Sequence, residues 1–370
     1  VHTIVYCQQN ESRSNQETRF VQLAFQVVAK SLARLLNGTL IQLSLFVGEA
    51  EELFIGEYEK PSPTATQILV KVKAFALNRM DLVQRRGMYP PPPGASEILG
   101  VEVSGTVEDI GKDVKNFKVG DAVFGLLPGG GYAEYAVIQQ ELAMHKPEGM
   151  SYEEAATIPE TWFTAYQALF FVAGFQKGQS VMIHAGASSV GTSCVQLAKL
   201  YGASKIFVTV GSDEKVKFCE ELGATKGFNY KKGDWAKELS EYNNGQGVDV
   251  IVDFIGKNYF SQNLESLAVD GHMVILAFLS GPVVEKANLA LMLKKRLRIE
   301  GSALRSRSLE YQARLRDAVE KNVVQDHLAK PGHDHLRILI DKVYNWKDVI
   351  ESHKYLESDQ SMGKVVLKIE

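Results

Sequence analysis

The run AGASSVG at 185–191 places two glycines and two serines where a chain could bind phosphate. Before it, 180–184 (SVMIH) is a short apolar run that predicts a buried strand. After it, Val190, Cys194, Leu197, Ala198 and Tyr201 recur at helical spacing, and 205–210 (KIFVTV) is a second β-branched run that stops at Gly211 and Ser212. Strand, turn, helix and strand in this order form a βαβ unit, whose turn aims backbone N–H groups at a ligand from a helix N-terminus. Gly186 and Gly191 supply two fingerprint glycines, while Ser188 and Ser189 stand where the backbone usually comes nearest a pyrophosphate. A serine hydroxyl can donate to phosphate there. The ligand expected is a dinucleotide.

The end of the second strand selects among dinucleotides. NAD sites usually carry Asp or Glu at that tip to accept from the ribose 2′-hydroxyl. Here the strand ends in Val210, Gly211 and Ser212, and Lys215 follows one helical turn later. A cation and a hydroxyl suit a 2′-phosphate, which favours NADPH over NADH. The competing reading makes Ser212 only a helix N-cap, with Asp213 and Glu214 completing the first turn.

The elements that must hold this unit follow in sequence. Expected strands at 227–230, 248–254, 272–278 and 297–304 alternate with helices at 214–222, 235–242, 259–267 and 287–295, giving six strands in a doubly wound parallel sheet. Upstream, 67–75 (QILVKVKAF) and 101–110 (VEVSGTVEDI) alternate apolar and polar residues between glycine and proline breaks, as strands of a compact β domain do. The stiff run YPPPP at 89–93 would fix Tyr89 in place. The tail from about Ser308 predicts two helices and a closing strand at 363–369 that rejoins the β domain. The domains expected are 1–46 as an accessory extension, 47–165 with 308–370, and 166–307.

Bulk properties narrow the functional classes. A hydrophobic content of 45% and charged content of 23% are those of an ordinary soluble globular protein. A net charge of −3 gives no electrostatic ground for nucleic-acid or membrane binding. Cys7, Cys194 and Cys219 are too scattered for a disulfide framework or a cysteine zinc knot. A cytoplasmic, reducing compartment is expected. In the extension, apolar residues from Phe20 to Leu36 recur at helical spacing, but Glu11 and Glu17 count against a mitochondrial transit peptide.

Six segments carry a family likeness: ALNRMDLVQRRGMYPPPPGASEILGVEVSGTVEDIG (76–111), GDAVFGLLPGGGYAEY (120–135), IPETWFTAY (158–166), IHAGASSVG (183–191), GFNYKKGDW (227–235) and the closing MGKVVLKIE. From about Gly48 onward the chain resembles the medium-chain dehydrogenases/reductases, and among them the zinc-free quinone oxidoreductases. The resemblance implies an α/β architecture: a GroES-like β domain plus a Rossmann domain, commonly paired as a homodimer through the strand at 272–278. Zinc members of this superfamily use Cys and His in segments similar to 76–81 and 99–102, where Asn78 and Val101 stand here. Val101 cannot ligate a metal, and an amide is a poor zinc ligand.

The same resemblance implies Asn78 and Tyr89 beside the nicotinamide and substrate, Thr164 near the ring, and Gly186, Ser188, Val190 and Gly191 at the pyrophosphate. It puts Ser212, Lys215 and Tyr230 around the 2′-phosphate, and Phe278 and Leu304 on the nicotinamide side. The function implied is NADPH-dependent reduction of a quinone, with Tyr89 or water supplying the proton and Asn78 orienting the acceptor carbonyl. Reduction of the C=C bond of an enal or enoyl thioester is the alternative, and a non-enzymatic NADPH-binding, RNA-binding or crystallin-like role is a second.

Overall fold

The computed structural model describes residues 2–7, 48–330 and 336–370, so the helix expected over 20–36 lies outside the described residues. Two large sheets organise the chain. The first contains β3 (Gln67–Ala76), β4 (Glu102–Ile110), β5 (Ala122–Leu126), β6 (Tyr135–Gln139) and β7 (Ala143–His145), and a separate two-stranded ribbon is made of β1 (His2–Cys7) and β2 (Leu53–Tyr58). β1 and β2 pair antiparallel as that ribbon, so part of the extension expected to be accessory is an ordered strand.

Helix α1 (Arg79–Arg85) follows β3, and α2 (Pro159–Tyr166) leads out of the β region. The second sheet comprises β8 (Ser180–Ile183), β9 (Lys205–Val210), β10 (Lys226–Asn229), β11 (Val248–Asp253), β12 (Leu267–Ile275) and β13 (Arg298–Gly301), in the spatial order β10-β9-β8-β11-β12-β13. Every neighbouring pair in it is parallel. The six strands expected from sequence are all present. Val181 and Ile183 pack with Cys194, Leu197 and Ala198 of helix α3 (Ser189–Leu200), whereas Met182 packs with Trp235, Leu239 and Leu264 on the opposite face. A pleated strand buried on both faces must be apolar throughout, which accounts for the unbroken SVMI run.

The chain enters this sheet at β8, runs outward to β10 and returns to β11. That reversal opens a crevice at the carboxyl ends of β8 and β11, where doubly wound sheets bind ligands. The strand expected to pair two subunits, 272–278, falls mostly in β12, which is flanked by β11 and β13. An internal strand has no free ladder to offer, so the sheet edge is β13 instead.

The tail returns to the first sheet. A strand not expected from sequence, β14 (Ile340–Asn345), pairs in parallel with β15 (Lys364–Lys368), and β15 pairs with β3, giving the order β14-β15-β3-β4-β5-β7 with β6 also on β3. Between these two strands lies a helix over Val349–Glu357. Gln196 of α3 bonds the backbone of Arg337 in both directions, at 2.6 and 3.2 Å, so the polar side of α3 is buried against this tail.

Candidate active site

The turn after β8 is shaped by close packing. A Cβ on Gly186 would lie 2.6 Å from the Val208 side chain, and one on Gly191 would fall against the carbonyls of Ala185 and Gly186. Only glycine lets α3 start so near β9. Ser188 caps that helix, its hydroxyl accepting from the Gly191 N–H at 3.1 Å. Its hydroxyl hydrogen stays available to a phosphate. Ser189 and Val190, in the first turn, have N–H groups with no intrahelical acceptor. Ala185 holds φ at 49°, a left-handed conformation that costs a non-glycine residue about 1–2 kcal/mol and is tolerated where the turn over-determines it.

Ser212 and Tyr230 lie beside Gly211, and Lys215 follows in the first turn of the next helix. Ser212 caps helix α4 (Asp213–Leu222) by accepting from the Lys215 N–H, and the Tyr230 hydroxyl sits 2.9 Å from where a Gly211 Cβ would be. The Lys231 side chain reaches the same point, a cation the sequence reading overlooked. Asp213 is neutralised by Lys232 and accepts from Asn229 Nδ2 at 2.8 Å, which holds its carboxyl below the usual range. Lys215 Nζ donates to the Asp359 carbonyl at 2.5 Å. Burial lowers its ammonium pKa, opposed by Asp359 and Asp341. A turn in which Gly186 and Gly191 leave no room for a Cβ, with helix-end donors beside it, fits the pyrophosphate of a dinucleotide.

At the other end of the crevice Asn78 caps α1. Its Nδ2 donates to Glu102 Oε1 at 2.8 Å, and its Oδ1 accepts from Lys364 Nζ at 2.6 Å. Lys364 also reaches Glu102 Oε1 at 2.6 Å and Thr161 at 3.0 Å. Glu102 Oε2 accepts from the Glu160 N–H at 2.9 Å. Thus β3, β4, α2 and β15 are tied by one buried network, and both ends of the Asn78 amide are spent on it. The Asn78 N–H donates to Asp81, whose carboxyl is pushed up to about 6 by burial, against the pull of its hydrogen bonds and of Lys364. Behind Asp81 stand Tyr132, at 3.1 Å, and then His353 and Arg85.

Tyr89 is half-buried, with the Arg305 guanidinium 5.7 Å from its ring centre. Burial, then the charge of Glu160, raises its phenol pKa. Arg305 is fixed by the Pro128 carbonyl at 2.7 Å and Gln84 at 2.8 Å. Thr164 donates to Glu160 Oε1 at 3.1 Å. Phe278 is 54% exposed and packs against Gly256 beside the crevice, while Leu304 is buried in the main core beside Arg305. The sequence reading singled out none of Glu102, Glu160, Lys364 and Arg305. A lysine opening the strand KVVLK and a glutamate inside an apolar helix were the available signals, since such charges are buried only when partnered.

Among the described residues no group of three or more His, Cys, Asp or Glu side chains could hold a metal ion, and no helix is long and apolar enough to cross a membrane.

Residues 64–148 match the family model of the alcohol dehydrogenase GroES-like domain, and 189–321 that of the zinc-binding dehydrogenases. A zinc-type alcohol dehydrogenase-like protein of Schizosaccharomyces pombe is 30% identical over 85% of this chain and 94% of its own length. A quinone oxidoreductase of Pseudomonas aeruginosa is 32% identical over 67% of this chain and 76% of its own. Two solved structures superpose with a TM-score of 0.75 at 27% identity: Escherichia coli quinone oxidoreductase complexed with NADPH, covering 87% of this chain and 98% of that one, and the CurK enoyl reductase, covering 89% and 98%. With the GroES-like sheet, the Rossmann sheet and relatives over nearly the whole described length, the chain belongs to the medium-chain dehydrogenase/reductase superfamily of NAD(P)-binding oxidoreductases.

Proposed function

We propose that this oxidoreductase is an NADPH-dependent quinone reductase that works without zinc. The observation that carries the reading is the donor set at the reacting end: Val101 is apolar, the Asn78 amide is engaged at both its nitrogen and its oxygen by Glu102 and Lys364, and Tyr89, Glu160 and Arg305 gather nearby. Such a set cannot supply a Lewis acid, but it can meet negative charge developing on oxygen through hydrogen bonds. An already electron-poor acceptor needs no more. NADPH, when bound, supplies the hydride.

The chain's own residues then divide the work. Gly186, Ser188, Val190 and Gly191 hold the pyrophosphate, and Ser212, Lys215, Tyr230 and Lys231 hold the 2′-phosphate. Thr164 stands by the nicotinamide ring, Phe278 at the rim and Leu304 behind it. Asn78 orients the acceptor side of the crevice as the fixed end of the buried network. A phenol whose pKa is raised is a poor proton source at neutral pH, so Tyr89 serves as a hydrogen-bond donor to the acceptor oxygen. Two copies pair across β13, whose outer ladder is free among the described residues.

The test is oxidation of NADPH with ortho- and para-quinones beside an enal and an enoyl thioester. Quinone turnover well above the other two supports the reading. The likeness to the CurK enoyl reductase favours the second reading, double-bond reduction, and preference for the enoyl thioester would select it.

A further inference from the structure

Glu160 lies one helical turn before Thr164 on α2, and the carboxyl is bonded through Oε1 to that threonine. Among the described residues its Oε2 forms no hydrogen bond. It lines a small cavity with Val101, Leu127, Leu142, Arg305 and Gln312 that has room for about one water molecule. Arg305 is buried, yet its Nη2 has no hydrogen-bond partner, although Nε and Nη1 are both committed. Tyr89 lies over the same guanidinium. Glu160 and Arg305, each with one unspent polar atom, therefore line one space beside the apolar Val101, and the Tyr89 ring stands by the same guanidinium.

We propose that Glu160 is the catalytic acid that delivers the proton to the acceptor's oxygen; the proposal rests on the reductase reading above. As hydride from the dinucleotide adds to the acceptor, an electron pair moves onto the acceptor oxygen. That oxygen takes the proton from the Glu160 carboxyl, whose O–H bond breaks to leave a carboxylate. Solvent restores the proton by way of a water in the cavity. The sum is one hydride from the dinucleotide and one proton from Glu160.

The surroundings favour this use. Glu102 on β4 and Asp81 on α1 present negative charge to Glu160, Lys364 on β15 presents positive charge, Arg305 lines the same cavity, and the Tyr89 phenol lies within reach of the carboxyl's charge. Burial, followed by the charge of Glu102, pushes the carboxyl up to about 7, against the opposing effects of Lys364 and Thr164. An acid poised there is half-protonated where an enzyme works at neutral pH.

The test compares wild type with Glu160→Gln and Glu160→Asp. In the protein without dinucleotide, infrared difference titration should find a protonated-carboxyl band that disappears around neutral pH and is absent from Glu160→Gln. With a quinone, wild-type kcat should fall as pH rises through about 7, whereas Glu160→Gln should lose about 100-fold in kcat and show no such step, with the NADPH Kd unchanged. Glu160→Asp should recover part of the rate and the pH step. A Glu160→Gln enzyme with wild-type kcat and pH profile would overturn the assignment. Were the wild type to reduce no acceptor, the reductase reading would fall; the infrared titration would still decide whether Glu160 holds a proton at neutral pH, and no titrating band would overturn the assignment.

Discussion

Lys364 Nζ lies 2.6 Å from Glu102 Oε1, and the two side chains are 2% and 0% exposed. Two charges so deep are tolerable only because Asn78, Thr161 and the Glu160 N–H satisfy their remaining hydrogen-bonding groups. The pair joins the last strand of the chain to β4 and sets the floor on which Asn78 rests.

Breaking that pair from one side should cost more than removing it. Lys364→Met leaves Glu102 buried and unpaired, and a loss of about 3–5 kcal/mol in urea unfolding is expected. Adding Glu102→Gln to Lys364→Met should recover much of it. Equal losses in the single and double variants would mean that the pair is not coupled.

Much of the dinucleotide half could be read from the residues, because strand and helix periodicities act over neighbouring positions. The network at the reacting end could not. Glu102 meets a backbone N–H 58 positions away and Lys364 meets Asn78 286 positions away, distances no local pattern encodes. Strand β14 was missed because IDKVYN mixes charged and apolar residues at a sheet edge, where none of its residues is fully buried. The strand 272–278, expected to offer a free edge, is internal because order along the chain does not reveal which strand ends a sheet.

Lys215→Ala should raise the KM for NADPH about tenfold and leave that for NADH nearly unchanged, the size expected when one charge-assisted hydrogen bond to phosphate is lost. Lys231→Ala should act in the same direction. A parallel rise for both dinucleotides would remove the pocket at Gly211 from the specificity account.

Asn78→Ala leaves Glu102 and Lys364 each short of a partner, so stability should drop by about 1–3 kcal/mol along with kcat. Tyr89→Phe should lower kcat about tenfold while thermal stability holds, since the hydroxyl is needed by the substrate rather than the fold. Unchanged turnover in both variants would exclude them from the reaction.

His353 is held neutral by burial and by the Arg85 guanidinium, which bring its pKa down to about 3. A histidine that binds protons less readily when folded gives stability that is present above its ordinary value of 6.5 and is lost as pH falls toward 3. Melting temperature measured from pH 7 to pH 4 should therefore fall less in His353→Gln than in wild type. Parallel curves would mean that His353 does not carry this acid sensitivity.

Steady-state oxidation of NADPH in the presence of a para-quinone, repeated with NADH and after treatment with a zinc chelator, tests the central claim most directly. The account predicts turnover with the quinone, a marked preference for NADPH, and no loss on chelation. Activity that disappears with the chelator and returns with zinc, or an absence of binding to either reduced dinucleotide, would contradict it.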